Sequence, residues 1–292
     1  MQEKKYSQTL SVQNFDLEKS VSCAQAFRWQ RAEDDVFFGV AGENAVYVRQ
    51  EEDAIFLEMN ADKSDFWRHY FALDCDYHEL ESLLAQDEKE AACLPYSRGI
   101  RVFRQEPFET LISFIISANN HYARICSLVE KISRAYGKKA SIFGRDYYAF
   151  PTPNELSQAT KEELEALGCG YRAAYIVDST QRVMEGYDLE ALRSLPYAEA
   201  MRELQCFAGV GPKVAACIAL FSLGFEEAFP VDVWMKRVLQ HLHPDCKVQE
   251  AMEKITQKYG RWAGAAQQYF FHYARVIGLG KKEKEGEKGK KK

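Results

Sequence analysis

Between Phe27 and Glu58 the chain alternates apolar and polar positions with a period near two. Phe27-Arg28-Trp29-Gln30 alternates, Val36 to Val40 is a short apolar run, Ala45-Val46-Tyr47-Val48-Arg49 is rich in β-branched and aromatic residues, and Ile55-Phe56-Leu57-Glu58 follows. Polar turns separate these runs at Glu33-Asp34-Asp35, Gly42-Glu43-Asn44 and Glu51-Glu52-Asp53. Short alternating runs between turn formers predict an antiparallel sheet. After Asp76 the apolar spacing becomes helical and stays so. It predicts helices at 77–92, 107–117, 121–136, 155–166, 173–185, 197–206, 212–223, 232–240, 248–259 and 262–277. Thr160-Lys161-Glu162-Glu163 carries the spacing of a capping box ahead of Leu164 and Leu167. Strands first and helices afterwards, rather than the two alternating, point to an α+β fold. No internal repeat is visible.

A length of 292 residues with 47% hydrophobic content suffices for one large or two ordinary domains. No apolar run approaches the roughly 18 residues of a membrane span. The start, MQEKKYSQTLSV, lacks the apolar core of a signal peptide, so a cytoplasmic, intracellular protein is expected. Eight cysteines are scattered without a CxxC, which suggests neither a disulfide framework nor a zinc site.

Net charge is −5, and its distribution matters more than its sum. Residues 1–97 carry 9 basic and 20 acidic side chains, residues 98–280 carry 22 and 20, and residues 281–292 carry 7 and 3. The acidity sits in the first third, and the rest of the chain need not repel phosphates. The Lys-rich stretch 281–292 is low-complexity and reads as a disordered, solvated tail.

The chemistry-bearing pattern is Gly209-Val210-Gly211-Pro212-Lys213 followed by Pro230-Val231-Asp232-Val233-Trp234, which puts Lys213 and Asp232 nineteen positions apart. Glycines permit a tight turn whose N–H groups can approach a phosphate. Pro212 suits the first position of a helix. Lys213 would then lie in the first turn, where the positive end of the helix dipole disfavours an ammonium and favours the nucleophilic free amine. A lone lysine at a helix start is ordinarily a solvated residue. The glycine turn and the Pro-Val-Asp-Val that follows change that reading.

The run from Leu204 to Leu239 resembles the helix-hairpin-helix and Gly/Pro-Asp loop of the base-excision DNA glycosylases. Other segments, from about Phe15 to Arg275, are similar to the 8-oxoguanine DNA glycosylase/lyase branch. The resemblance implies a TBP-like antiparallel β domain with a linking helix over 1–97. A helical glycosylase domain over 98–280 would follow, made of two subdomains with a cleft between them. It implies that Asp232 stabilises positive charge on the sugar as the glycosidic bond breaks. Lys213 would attack C1′ and form a Schiff base, which permits β-elimination. In Ala263 to Phe271, Gln267 and Phe271 share a helix face. By resemblance Phe271 stacks on the flipped purine, Gln267 reads its Watson–Crick edge and Cys217 covers its other side.

The same resemblance assigns Asn119, in Ser117-Ala118-Asn119-Asn120-His121-Tyr122-Ala123-Arg124, to the vacated space in the duplex, and Arg124 to the orphaned cytosine. In Gly168-Cys169-Gly170-Tyr171-Arg172, Tyr171 resembles the aromatic wedge and Arg172 a second guanidinium facing cytosine. Without the family these segments read as a helix C-cap and an ordinary turn. Phosphate contacts fall to Gly209, Gly211 and Trp234. The carbonyls of Gln205, Phe207 and Val210 would hold a monovalent cation. No iron–sulfur cluster and no dissociable catalytic metal are implied.

Two positions depart from the family pattern. Ala24, in Ser22-Cys23-Ala24-Gln25-Ala26-Phe27-Arg28-Trp29, occupies a position more often glycine, whose carbonyl accepts the N7–H that oxidation gives to guanine. Trp234 stands where histidine is more familiar.

The implied partner is double-stranded DNA containing oxidised guanine, bound by a monomer. An endonuclease III-like pyrimidine glycosylase is rejected. Its Cx6Cx2Cx5C cluster loop would follow the aspartate, and after Asp232 the chain has only Cys246. An alkylpurine DNA glycosylase fits the fold but usually lacks the lysine. The non-enzymatic alternative is a helix-hairpin-helix DNA-binding protein.

Overall fold

A computed structural model describes residues 5–279; the Lys-rich stretch 281–292 lies outside the described residues. The N-terminal body is a five-stranded antiparallel sheet in the order β1-β5-β4-β3-β2. Its strands are β1 (Tyr6–Ser11), β2 (Trp29–Glu33), β3 (Val36–Ala41), β4 (Asn44–Glu51) and β5 (Ala54–Met59). Consecutive strands from β2 to β5 form hairpins. The first strand pairs with β5, Tyr6 opposite Met59. That edge strand escapes the sequence pattern because only Leu10 of its six residues is buried.

Val46, Val48, Ile55 and Leu57 point into a core shared with Trp67, Tyr70, Phe71 and Phe103. Trp29 is central to this core. It pairs with Gly39 across the strands, and a Cβ on Gly39 would meet the indole at 2.3 Å. The other sheet face is also used. Phe38, Val40 and Ala45 pack under Ile142 and Tyr147 of a two-stranded hairpin, β6 (Lys139–Ile142) and β7 (Arg145–Tyr148). The expectation of uninterrupted helix after Asp76 therefore fails here. Two four-residue strands are too short to declare a period against the helices around them.

Two predicted helices are divided. Residues 77–92 hold His78–Leu84 and Glu88–Ala91, separated where Asp87 turns extended and caps the N–H groups of Lys89 and Glu90. The segment 155–166 lies across Pro153–Leu156 and Lys161–Leu167, each begun by its own capping box, Thr152/Glu155 and Thr160/Glu163. The predicted helix 212–223 is α over Pro212–Ile218 and widens into a π turn over Ala219–Leu223.

The helices form two cores. The first gathers residues between Phe108 and Ala228, among them Leu111, Ile115, Ile176, Leu204 and Ile218. The second gathers Tyr77, Leu80, Leu84 and Cys93 with Met235, Leu239, Tyr259, Tyr269 and Phe270. Packing thus assigns the helices of 78–97 to the second helical core, whereas the expected boundary after residue 97 groups them with the sheet. The chain crosses from one helical core to the other between Ala228 and Phe229. Lys213 and Asp232 lie on either side of that crossing. Among the described residues no helix is long and apolar enough to cross a membrane.

Candidate active site

Gly209 takes φ +80°, a conformation glycine adopts freely, and a Cβ there would lie 2.4 Å from Tyr175 Cδ2. Gly211 caps the helix Pro212–Ile218, with Pro212 at its first position. Lys213 follows in the first turn, as its sequence setting predicts. The side chain lies over the Phe114 ring, with Nζ 5.4 Å from the centroid. Phe114 is itself held by stacking on Phe221 at 5.5 Å and by the edge of Phe27 at 5.3 Å. The lysine stem thereby has a rigid aromatic floor.

Asp232 starts the helix Val233–Leu242 and caps it, with Oδ1 accepting from the Met235 N–H at 2.8 Å. Its other oxygen accepts no hydrogen bond from a described residue. Neither Lys213 nor Asp232 joins an ion pair among the described residues. Cys217 lies one turn after Lys213 on the same helix and is 3% exposed. Burial pushes this thiol up; the neighbouring Lys213 ammonium opposes that shift and the Asp232 carboxylate reinforces it.

Three further predicted residues lie across the crossing or on the loop before β2. Gln267 and Phe271 occupy one face of the helix Ala263–Val276. Gln267 is 4% exposed, its Oε1 accepting from Gln268 Nε2 at 2.7 Å, while its own Nε2 donates to no described group. Phe271 is half-buried on the second core. Ala24 has φ +62°, the left-handed region that favours glycine. A position where glycine is more familiar thus carries alanine in a conformation that glycine adopts freely. Its carbonyl accepts no hydrogen bond from a described residue, although the next two, of Gln25 and Ala26, accept from Gln105 and Tyr122.

Asn119, Arg124, Tyr171 and Arg172 also come together. Asn119 is exposed in a left-handed turn at φ +54° and donates to the Tyr171 hydroxyl at 3.3 Å. Exposed Arg124 reaches the Gly168 carbonyl at 3.3 Å. Tyr171 is 51% exposed and packs edge-on against Tyr175, the residue that covers Gly209. Arg172, expected to face the cytosine, is bonded to protein here. It is buried, and its Nε and Nη2 both donate to the Ala118 carbonyl, so in this state it supports the Asn119 turn.

Two family models match adjoining parts of the chain. The model for the 8-oxoguanine DNA glycosylase N-terminal domain matches residues 8–111, and that for the HhH-GPD superfamily of base excision DNA repair proteins matches 112–262. The chain belongs to the 8-oxoguanine DNA glycosylase/lyase family. This glycosylase is 34% identical over 233 residues to a probable N-glycosylase/DNA lyase of Methanothermobacter thermautotrophicus, covering 72% of the chain and 74% of the relative. It is also 34% identical to an N-glycosylase/DNA lyase of Arabidopsis thaliana, covering 85% of the chain and 74% of that relative. A crystal structure of the Clostridium acetobutylicum 8-oxoguanine glycosylase/lyase, bound to double-stranded DNA with cytosine opposite 8-oxoG, superposes with a TM-score of 0.86. It is 36% identical, and the match covers 93% of this chain and 99% of that one. The glycosylase is an enzyme of the N-glycosylase/DNA lyase class.

Sequence reasoning missed four residues that support the candidate site. Phe114 floors Lys213, Tyr175 covers Gly209, and Tyr122 and Arg275 bond to the loop around Ala24. Phe114 lies on the helix that ends in the Asn119 turn, but helical spacing cannot separate a platform from a core residue. Arg275 continues the spacing of four from Gln267 and Phe271, and that was the available signal.

Proposed function

We propose that this glycosylase flips 8-oxoguanine out of double-stranded DNA, with a preference for cytosine opposite, and then nicks the strand through a Schiff base on Lys213. The observation that carries the reading is Lys213 in the first helical turn after the glycine hairpin, its amine over the Phe114 ring, with Asp232 at the start of the following helix and neither in an ion pair among the described residues. An amine left free of its carboxylate can attack, and a carboxylate left free of its amine can stabilise the sugar's developing charge. Asp232 stabilises the oxocarbenium-like sugar as the base leaves with the glycosidic electron pair and takes up a proton. Lys213 Nζ bonds to C1′ and loses a proton. The ring then opens to an iminium, and loss of a C2′ proton expels the 3′ phosphate. An alkylpurine glycosylase has no use for such a lysine.

In the pocket, Phe271 and Cys217 enclose the purine and Gln267 Nε2 donates to its edge. The unpaired Ala24 carbonyl accepts the N7–H that guanine lacks. Asn119 fills the vacated space and Tyr171 wedges beside it. The orphaned cytosine offers N3 and O2 to Arg124 and, once its bonds to Ala118 are exchanged for the base, to Arg172. Gly209, Gly211 and Trp234 contact phosphates. Among the described residues the carbonyls of Gln205 and Val210 accept no hydrogen bond, and that of Phe207 accepts only from the Val210 N–H at 3.1 Å, which leaves three acceptors suited to a monovalent cation. A chromosomal substrate puts the enzyme to work, as a monomer, in the compartment that holds DNA.

The test is cleavage and borohydride trapping on duplexes carrying 8-oxoG opposite C, A, G or T. Excision is expected to be fastest opposite C. Strong activity on alkylated adenine with none on 8-oxoG would overturn the substrate. Equal rates opposite all four bases would overturn the cytosine preference.

A further inference from the structure

The loop from Ser20 to Phe27 is tied down at the carbonyls of Ser20, Ser22, Gln25 and Ala26. Ser20 accepts from Gln25 Nε2 at 2.9 Å, and the same buried amide donates to the Arg101 carbonyl at 2.8 Å while its oxygen accepts from the Phe103 N–H at 2.8 Å. Gln25 accepts from Gln105 Nε2 at 2.8 Å. Two longer arms reach the flanks of Ala24. Arg275 Nη1 donates to the Ser22 carbonyl at 3.2 Å, and the Tyr122 hydroxyl donates to the Ala26 carbonyl at 3.0 Å. Ala24, between them, keeps a left-handed backbone and an unpaired carbonyl.

The arms come from opposite helical cores. Tyr122 packs on the first core and begins the helix that carries Arg124. Arg275 ends the helix that carries Gln267 and Phe271, and its guanidinium lies 5.6 Å from the Phe271 ring centre. A left-handed alanine persists only where its surroundings over-determine it. Freed of its anchors, Ala24 relaxes towards a right-handed or extended backbone, and its carbonyl swings away from its present direction.

We propose that Tyr122 and Arg275 are positioning residues that clamp the Ala24 carbonyl for lesion reading. This rests on the proposed role of that carbonyl. Neither residue touches the reacting atoms, so the clamp sets which base is accepted and leaves lyase chemistry alone. Glycine at position 24 would need the clamp less, because its left-handed form carries no Cβ penalty.

The experiment compares single-turnover excision of 8-oxoG opposite C with strand cleavage at a preformed abasic site in the same duplex, a reaction that needs Lys213 but no base. Tyr122→Phe and Arg275→Met are each expected to lower the excision-to-cleavage ratio about 5-fold, the effect of losing one hydrogen bond, and together about 10-fold or more. Arg275→Lys, which keeps a donor, should recover most of the loss. Adding Ala24→Gly to the double variant should restore much of the ratio, an outcome that general damage to folding would not produce. Tyr122→Phe keeps the ring and serves alone if the arginine variants fold poorly. An unchanged ratio in Tyr122→Phe and in the double variant, with the unsubstituted enzyme active, overturns the clamp alone. Abasic-site cleavage without any 8-oxoG excision by the unsubstituted enzyme overturns the substrate reading, and the clamp with it.

Discussion

On the side proposed to meet the undamaged strand, the polar groups are bonded to protein. Asn119 donates to Tyr171, Arg124 to the Gly168 carbonyl, and Arg172 to the Ala118 carbonyl. On the side proposed to receive the base, the Ala24 carbonyl and the Gln267 amide nitrogen bond to no described residue, though the elements carrying them are firmly held. Under the proposed function the first side exchanges protein partners for DNA, so its residues would govern binding, opposite-base choice and resting stability. The second already presents free polar groups towards its proposed ligand. Its residues would govern the excision step more than the fold.

Substitutions can break or sharpen this contrast. The largest effect is expected of Asp232→Asn. Asparagine caps a helix as well as aspartate does, so the melting temperature should hold. Excision should fall by about 10²-fold or more, since a charge aimed at the transition state is lost. A matching fall in melting temperature would show that Asp232 serves the fold instead. Phe271→Ala should cost about 10-fold in 8-oxoG excision, stacking on one base contributing about 1–3 kcal/mol. Abasic-site cleavage should change far less, and equal losses in both assays would contradict a base-stacking role.

Arg172→Met tests the other side. Removing the guanidinium leaves the Ala118 carbonyl without its donors, so stability should drop by about 1–3 kcal/mol in chemical denaturation. Discrimination against bases other than cytosine should flatten at the same time. A variant of normal stability would dissolve the contrast between the two sides. The smallest effect belongs to Ala24→Gly. Relief of left-handed strain, about 1–2 kcal/mol, is offset by about 0.5–1 kcal/mol of added unfolded-state entropy. A rise in melting temperature of a few degrees is expected, and a fall would mean that the Ala24 methyl contributes packing.

What could be read from the sequence followed from which interactions are local. Strands β2 to β5 alternate and turn within a few residues of one another, so their pattern is written in the run itself. Lys213 and Asp232 sit in short glycine- and proline-marked segments whose backbone demands are local. β1 pairs with a strand nearly fifty residues away and buries almost nothing, so no pattern announces it. The division at Asp87 depends on a single cap inside an otherwise helical run. Arg172 reads as an exposed turn residue until the Ala118 carbonyl, 54 residues earlier, is brought against it. The left-handed backbone of Ala24 is equally hidden, because the groups bonded on either side of it, Gln105, Tyr122 and Arg275, come from distant parts of the chain.

The central claim is that Lys213 is the nucleophile in a cleft built for an oxidised purine. Its most direct test is to trap the enzyme with borohydride on a duplex carrying 8-oxoG opposite C, digest the adduct and locate the modified residue by mass spectrometry. The account predicts a single reduced sugar adduct on Lys213 Nζ, absent from Lys213→Gln. An adduct on another amine, or undiminished trapping in Lys213→Gln, would contradict it.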